Sequence, residues 1–162
     1  MRIGVVGDTH NMMTNVDQIV ELFREARVER VVHTGDITQA KVLDRFAALE
    51  IPLLGVFGNN DAGTRESLTA QAERAGMDFV DPPRTIEWAD RRILVAHDPE
   101  EIPPTVPADI DLILHGHTHR HRLEDHDGAL IFNPGECAGM LAGRNAVGVV
   151  DLLSLRAELL RF

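Results

Sequence analysis

The chain has 162 residues, a formal charge of −10, 44% apolar residues and only 4% aromatic ones. That length makes one domain, residues 1–162, burying roughly two thirds of its unfolded surface around Val, Ile, Leu and Ala. The acidic balance argues against nucleic-acid backbone as a general partner, and no apolar run is long enough for a signal peptide or membrane span, so the expected compartment is the cytoplasm.

Strand and helix patterns alternate along the first half. Ile3-Gly4-Val5-Val6 reads as a buried strand, and Val16, Ile19, Val20 and Phe23 follow the i, i+3, i+4, i+7 spacing of an amphipathic helix. A second strand begins at Val31-Val32, a second helical stripe runs through Val42, Leu43, Phe46 and Leu49, and Pro52 to Phe57 is the third strand. A weaker helix is expected from about Thr64 to Ala75. The second half turns to strands at Thr85–Trp88, Arg92–Ala96, Ile110–Leu114, Ala129–Phe132 and Ala146–Leu152. Between two of them, Pro99, Pro103, Pro104 and Pro107 exclude a continuous helix and read as a stiff surface connection.

Five polar clusters follow these apolar runs: Gly7-Asp8-Thr9-His10, Gly35-Asp36, Gly58-Asn59-Asn60-Asp61, His97 and Gly116-His117-Thr118-His119. The first three fall where a strand turns toward a helix, and His97 and His117 also follow strands. That edge of an open α/β sheet is where ligands bind. Two Asp, one Asn and four His supply oxygen and nitrogen donors enough for two divalent cations, provided one residue is shared. Taken singly, each of these histidines reads as readily as a turn or surface residue; jointly the clusters point to a metal site. Cys137 has no partner for a disulfide, and the arginine that a cysteine-dependent phosphatase loop places six residues on is missing, since that position is Gly143.

Asp8-x-His10, Gly35-Asp36, Gly58-Asn59-x-Asp61, His97 and Gly116-His117-x-His119, with Asn133-Pro134-Gly135-Glu136-Cys137, resemble the calcineurin-like metallophosphoesterases, above all their small single-domain bacterial and archaeal members. The resemblance implies an α/β (α+β) fold, a four-layer αββα sandwich of two mixed β-sheets flanked by helices. It implies one metal on Asp8, His10, Asp36 and His119 and a second on Asp36, Asn59, His97 and His117, with Asp36 as the bridge and Asp61 orienting a ligand from behind. Asn59, Asn60 and His97 would meet the substrate, and Asp36, Asn59, Asn60, Asp61 and His97 make up the catalytic group. The implied activity is phosphodiester hydrolysis by a metal-bridging hydroxide. Mixed nitrogen and oxygen donors favour Mn²⁺, with Ni²⁺, Zn²⁺ or Fe as alternatives.

Two departures touch the chemistry. Many relatives have histidine as general acid where this chain has Asn60, and His97 is flanked by Ala96 and Asp98 where glycines are common. Alternative readings are a phosphomonoesterase or nucleotidase of the same fold, and a non-catalytic protein-binding scaffold like the retromer subunit; the expected partners are a small phosphate ester and a second copy of the chain, a dimer first. His33, His115, His121 and His126 are left structural, and Asn133-Pro134-Gly135 reads as a turn closing the site. Lys41 is the only lysine against fifteen arginines, a bias that fits life at high salt and equally a GC-rich genome.

Overall fold

A computed structural model describes residues 1–162. In chain order the elements are β1 (Arg2–Val6), α1 (Met13–Glu25), β2 (Arg30–His33), α2 (Ala40–Ala47), β3 (Leu53–Val56), α3 (Arg65–Arg74) and β4 (Asp78–Val80). There follow β5 (Arg84–Trp88), β6 (Arg91–Val95), β7 (Leu112–Leu114), β8 (Arg122–His126), β9 (Ala129–Asn133), β10 (Ala146–Asp151) and β11 (Arg156–Arg161), with short 3-10 turns at Asn59–Thr64 and Pro99–Glu101. Six strands form one sheet in the order β11-β10-β1-β2-β3-β4, and five form a second in the order β5-β6-β7-β9-β8. Strands β1 to β4 run parallel, as do β6, β7 and β9, while β10, β11, β5 and β8 pair antiparallel. This is the expected sandwich of two mixed sheets with flanking helices.

The two-residue period of the strands divides the core. Ile3 and Val5 of β1, Val32 of β2 and Val56 of β3 meet Ile93, Val95, Leu112, Leu114 and Phe132 between the sheets. Val6, Val31 and Leu53 point the other way, onto Val16, Ile19 and Phe23 of α1, Val42, Leu43 and Phe46 of α2 and Leu68 of α3. All three α-helices therefore cover the first sheet. The outer face of the second sheet, Leu94, Ile113, Ala129 and Ile131, is covered instead by Val106 and Ile110 of the proline-rich connection. Its prolines permit one 3-10 turn and no longer helix, so this layer is mostly loop.

Three strands lie outside the sequence expectation. β8 is Arg-Leu-Glu-Asp-His, polar on both faces because it is an edge strand that pairs only with β9. β4 has three residues at the other sheet's edge, too few to show a period. β11 alternates, with Ala157 and Leu159 against the inter-sheet core, but Arg156, Glu158 and Arg161 dilute its apolar signal.

Topology sets the position of the site. The parallel strands β1, β2 and β3 of one sheet and β6, β7 and β9 of the other deliver residues 7–10, 34–36, 57–61, 96–98, 115–119 and 134–136 to one end of the sandwich.

Candidate functional site

The loops at this end are laced together by their backbones. Asp8 N–H donates to Gly35 O at 2.8 Å, His10 N–H to Asp36 O at 3.1 Å, and Gly116 N–H to His97 O at 3.0 Å. Asp8, His10, Asp36, His117 and His119 all have positive φ, between 42° and 65°. Left-handed backbone in non-glycine residues costs on the order of 1–3 kcal/mol each, and it persists where surrounding structure enforces it, typically at functional sites. Two glycines make the close approach possible. A Cβ on Gly58 would lie 2.2 Å from Asp36 Oδ1, and one on Gly35, itself at φ +104°, would lie 2.6 Å from His97 Nδ1.

The side chains so placed form two adjoining donor groups, Asp8, His10 and His119 in one and Asp8, Asp36 and His97 in the other. Asp36 stands between two imidazoles, its Oδ2 3.5 Å from His10 Nε2 and its Oδ1 3.5 Å from His97 Nε2. His10 Nε2 is buried and has no hydrogen-bond partner at all. His119 Nδ1 meets Glu136 Oε2 at 2.5 Å, so it carries the proton and Nε2 presents its lone pair toward Asp8, 3.7 Å from Oδ1.

The same reasoning fixes His97 in the second cluster. His97 Nδ1 lies 2.8 Å from the Thr34 carbonyl, which only an N–H can satisfy, and His117 Nε2 lies 3.3 Å from Asp98 Oδ2. The remaining nitrogens, His97 Nε2 and His117 Nδ1, approach Asn59 Oδ1 at 2.9 and 3.0 Å and each other at 3.3 Å. Two ring nitrogens and an amide oxygen, all able to ligate a metal, thus lie within 3.3 Å of one another, an arrangement that a cation at their centre would satisfy.

No Lys or Arg pairs with Asp8, Asp36, Asp61 or Glu136, although all four are buried. Burial pushes the Asp8 carboxyl up to about 6, against the opposing pull of His97 and His119 and with a further push from Asp36. Burial also lowers His10. Buried carboxylates and imidazoles with no Lys or Arg beside them are the donor set of a divalent cation, and the residues present fit one in each cluster.

Asn60, exposed, and Asp61, buried, both brace Asp36. Asn60 gives its backbone N–H to Asp36 Oδ1 at 2.9 Å and its side-chain N–H to Oδ2 at 2.7 Å. Asp61 is fully buried and accepts four backbone N–H groups, from Ile37 and Thr38 on Oδ1 and from Asp36 and Gly58 on Oδ2. It therefore holds the loop that carries Asp36, and does not itself join the donor clusters.

Three contacts escape sequence reading. Glu136 is buried and bonds His119; its signal was a lone carboxylate in an otherwise uncharged stretch, Asn133 to Gly139. Asp98 Oδ2 lies 3.3 Å from His117 Nε2, and Glu101 Oε2 accepts the backbone N–H of His97 at 2.8 Å, tying the proline-rich connection to the site. His33 is wholly buried, its Nδ1 accepting Gly35 N–H and its Nε2 facing Thr9 Oγ1, and burial lowers its pKa to about 3. The expected turn is present: Asn133 Oδ1 accepts Gly135 N–H at 2.8 Å while its Nδ2 donates to Gly116 O at 2.9 Å. Cys137 is buried, its Sγ 2.9 Å from Gly7 O, and burial raises its thiol.

Comparison with known proteins agrees with this fold. The profile of the calcineurin-like phosphoesterase superfamily domain matches residues 1–154. Phosphodiesterase MJ0936 of Methanocaldococcus jannaschii is 30% identical over 155 residues, 93% of either chain. A solved structure of an archaeal phosphodiesterase superposes with a TM-score of 0.89 at 28% identity, covering 100% of both chains. Vps29 of Entamoeba histolytica superposes with a TM-score of 0.67 at 16% identity, over 100% of this chain and 99% of that one, a likeness of fold alone.

Proposed function

We propose that this chain, which belongs to the calcineurin-like phosphoesterase superfamily and is a hydrolase of phosphoric esters, acts on phosphodiesters with two divalent cations held at the end of its sandwich. Asp8, His10, Asp36 and His119 would hold one, and Asp36, Asn59, His97 and His117 the other. The observation that carries the reading is the meeting of His97 Nε2, His117 Nδ1 and Asn59 Oδ1 within 3.3 Å of one another, at the same end of the sandwich as the donor groups of Asp8, His10, Asp36 and His119. Bound there, a pair of divalent cations supplies an acidified water and polarises a phosphoryl oxygen. Mn²⁺ suits the mixed donors, and a cytoplasmic home and self-association, a dimer first, belong to the same reading.

The protein's own groups do the positioning. Glu136 and the Thr34 carbonyl each hold one ring nitrogen of His119 and His97, so that the other nitrogen is turned toward the centre, and Asp98 lies 3.3 Å from His117 Nε2. Asp61 fixes the backbone of residues 36–38, and Asn60 holds both oxygens of Asp36. The amide of Asn60 cannot give a proton to a departing alkoxide, so the site favours esters whose leaving group departs unaided.

The Vps29 likeness, at 16% identity, is one of fold alone and carries no scaffold role to this chain. The test is hydrolysis of bis(4-nitrophenyl) phosphate by chelated, Mn²⁺-restored and Asp36→Ala protein. Turnover should require metal and Asp36; undiminished turnover after complete metal removal would overturn the reading, and none in any state would favour the scaffold.

A further inference from the structure

Beside the candidate metal centre lies a cleft of about 780 Å³ whose walls include His119 and Glu136 of that centre. Arg120, Arg144 and Arg161 also line it, brought together from the loop after β7, the loop before β10 and the end of β11. In a chain of charge −10, most arginines are committed. Arg2, Arg24, Arg45, Arg65, Arg84, Arg91, Arg92 and Arg122 each pair with a carboxylate, Arg74 bonds Gln71, and Arg30 lies over Trp88. The three in the cleft have no such partner.

Glu136, the one carboxylate in the wall, is already used, Oε2 by His119 and Oε1 by the backbone N–H of Met140 at 3.0 Å. Three arginines with no carboxylate partner, lining one cleft that holds no free carboxylate, make a site for an anion, and the planar fork of arginine matches phosphate oxygens in pairs. The space suits a ligand of nucleotide size.

We propose that this arginine cleft receives a second phosphate of the substrate, so that the ester cleaved at the metal centre is a phosphodiester carrying a further phosphate group. This rests on the phosphoesterase reading of the adjoining centre. The cleft does not alter the reaction; it selects among diesters by what lies beyond the scissile group, and its contribution weakens as salt screens the exposed charges.

The experiment has two arms. In the first, the metal-loaded enzyme hydrolyses thymidine 5′-(4-nitrophenyl phosphate) with and without a 3′-phosphate, two esters with one leaving group. The 3′-phosphate should raise kcat/KM about tenfold at low salt, mostly through KM, as charge-assisted bonds to phosphate would. In the Arg144→Gln, Arg161→Gln double variant that ratio should fall to near one, while Arg156→Gln, which removes a charge elsewhere, should keep it. In the second arm, calorimetry on metal-free protein compares thymidine 3′,5′-bisphosphate with thymidine 5′-diphosphate, separating a sugar phosphate from a polyphosphate. Weaker binding of either by the double variant supports the cleft. Equal binding of both by wild type and the double variant, or equal ratios in the first arm, overturns it. Absence of turnover on both esters would count against the phosphoesterase reading, and the calorimetry would still decide the cleft.

Discussion

Asp61→Asn changes the chemistry of a buried side chain while keeping its shape. The carboxylate takes Ile37 and Thr38 N–H on Oδ1 at 2.8 and 2.7 Å, and Asp36 and Gly58 N–H on Oδ2 at 3.0 and 2.8 Å. An amide has only one acceptor oxygen, so whichever way it turns, two backbone donors face an NH₂ group. Each buried donor left unsatisfied costs about 1–3 kcal/mol, which sums to about 2–6 kcal/mol. In a domain of this size each kcal/mol moves the melting temperature by about 2–4 °C, so the loss is on the order of 10 °C. Scanning calorimetry of chelated protein measures it free of any metal contribution. A melting temperature within about 2 °C of wild type would show that Asp61 does not hold the Asp36 loop as described.

Glu136→Gln should weaken metal binding about 10–100-fold with little change in fold, because an amide has one acceptor oxygen for two donors, the His119 ring and Met140 N–H, and lacks the charge that makes His119 a stronger ligand; unchanged Mn²⁺ affinity by calorimetry would refute this. Asn60→His, by supplying a general acid, should raise kcat/KM on alkyl diesters about 10²-fold or more relative to aryl ones; an unchanged aryl-to-alkyl ratio at equal metal content would show that the proton comes from elsewhere. His33, lowered from 6.5 to about 3, takes up a proton in the unfolded chain before the folded one, so its contribution is complete above about pH 6.5 and is lost as pH falls toward 3. Asp8, raised to about 6, acts in the opposite sense between 3.8 and about 6, so the informative comparison is between wild type and His33→Gln. In chelated protein, urea unfolding from about pH 8 to about pH 5 should show wild type losing roughly 1 kcal/mol more per pH unit below about 6.5, and parallel curves would contradict a neutral buried imidazole.

Much of the first half was readable because burial on one side imposes a period. Val16, Ile19, Val20 and Phe23 are all buried in α1 at the spacing that predicted it, and the strand of Ile3 to Val6 is buried throughout. The loop clusters were readable for a different reason: Asp8, Asp36, His97 and His117 each follow a strand directly, and parallel strands in both sheets bring them to one end. What stayed hidden depends on contacts between distant segments. Nothing local to Glu136 specifies His119 as its partner, nor to Asp61 that it faces four amides rather than a side chain. Arg120, Arg144 and Arg161 look like surface charge until the sheet edge and two loops bring them to one cleft. The edge strand β8 was illegible because, with both faces polar, its sequence carries no apolar alternation.

The central claim, two cations sharing Asp36, is tested most directly by anomalous scattering at the manganese edge from crystals of the Mn²⁺-loaded protein. The account predicts two peaks per chain on either side of Asp36, one within reach of Asp8, His10 and His119 and the other within reach of Asn59, His97 and His117. A single peak at full loading, or manganese bound away from Asp36, would contradict it.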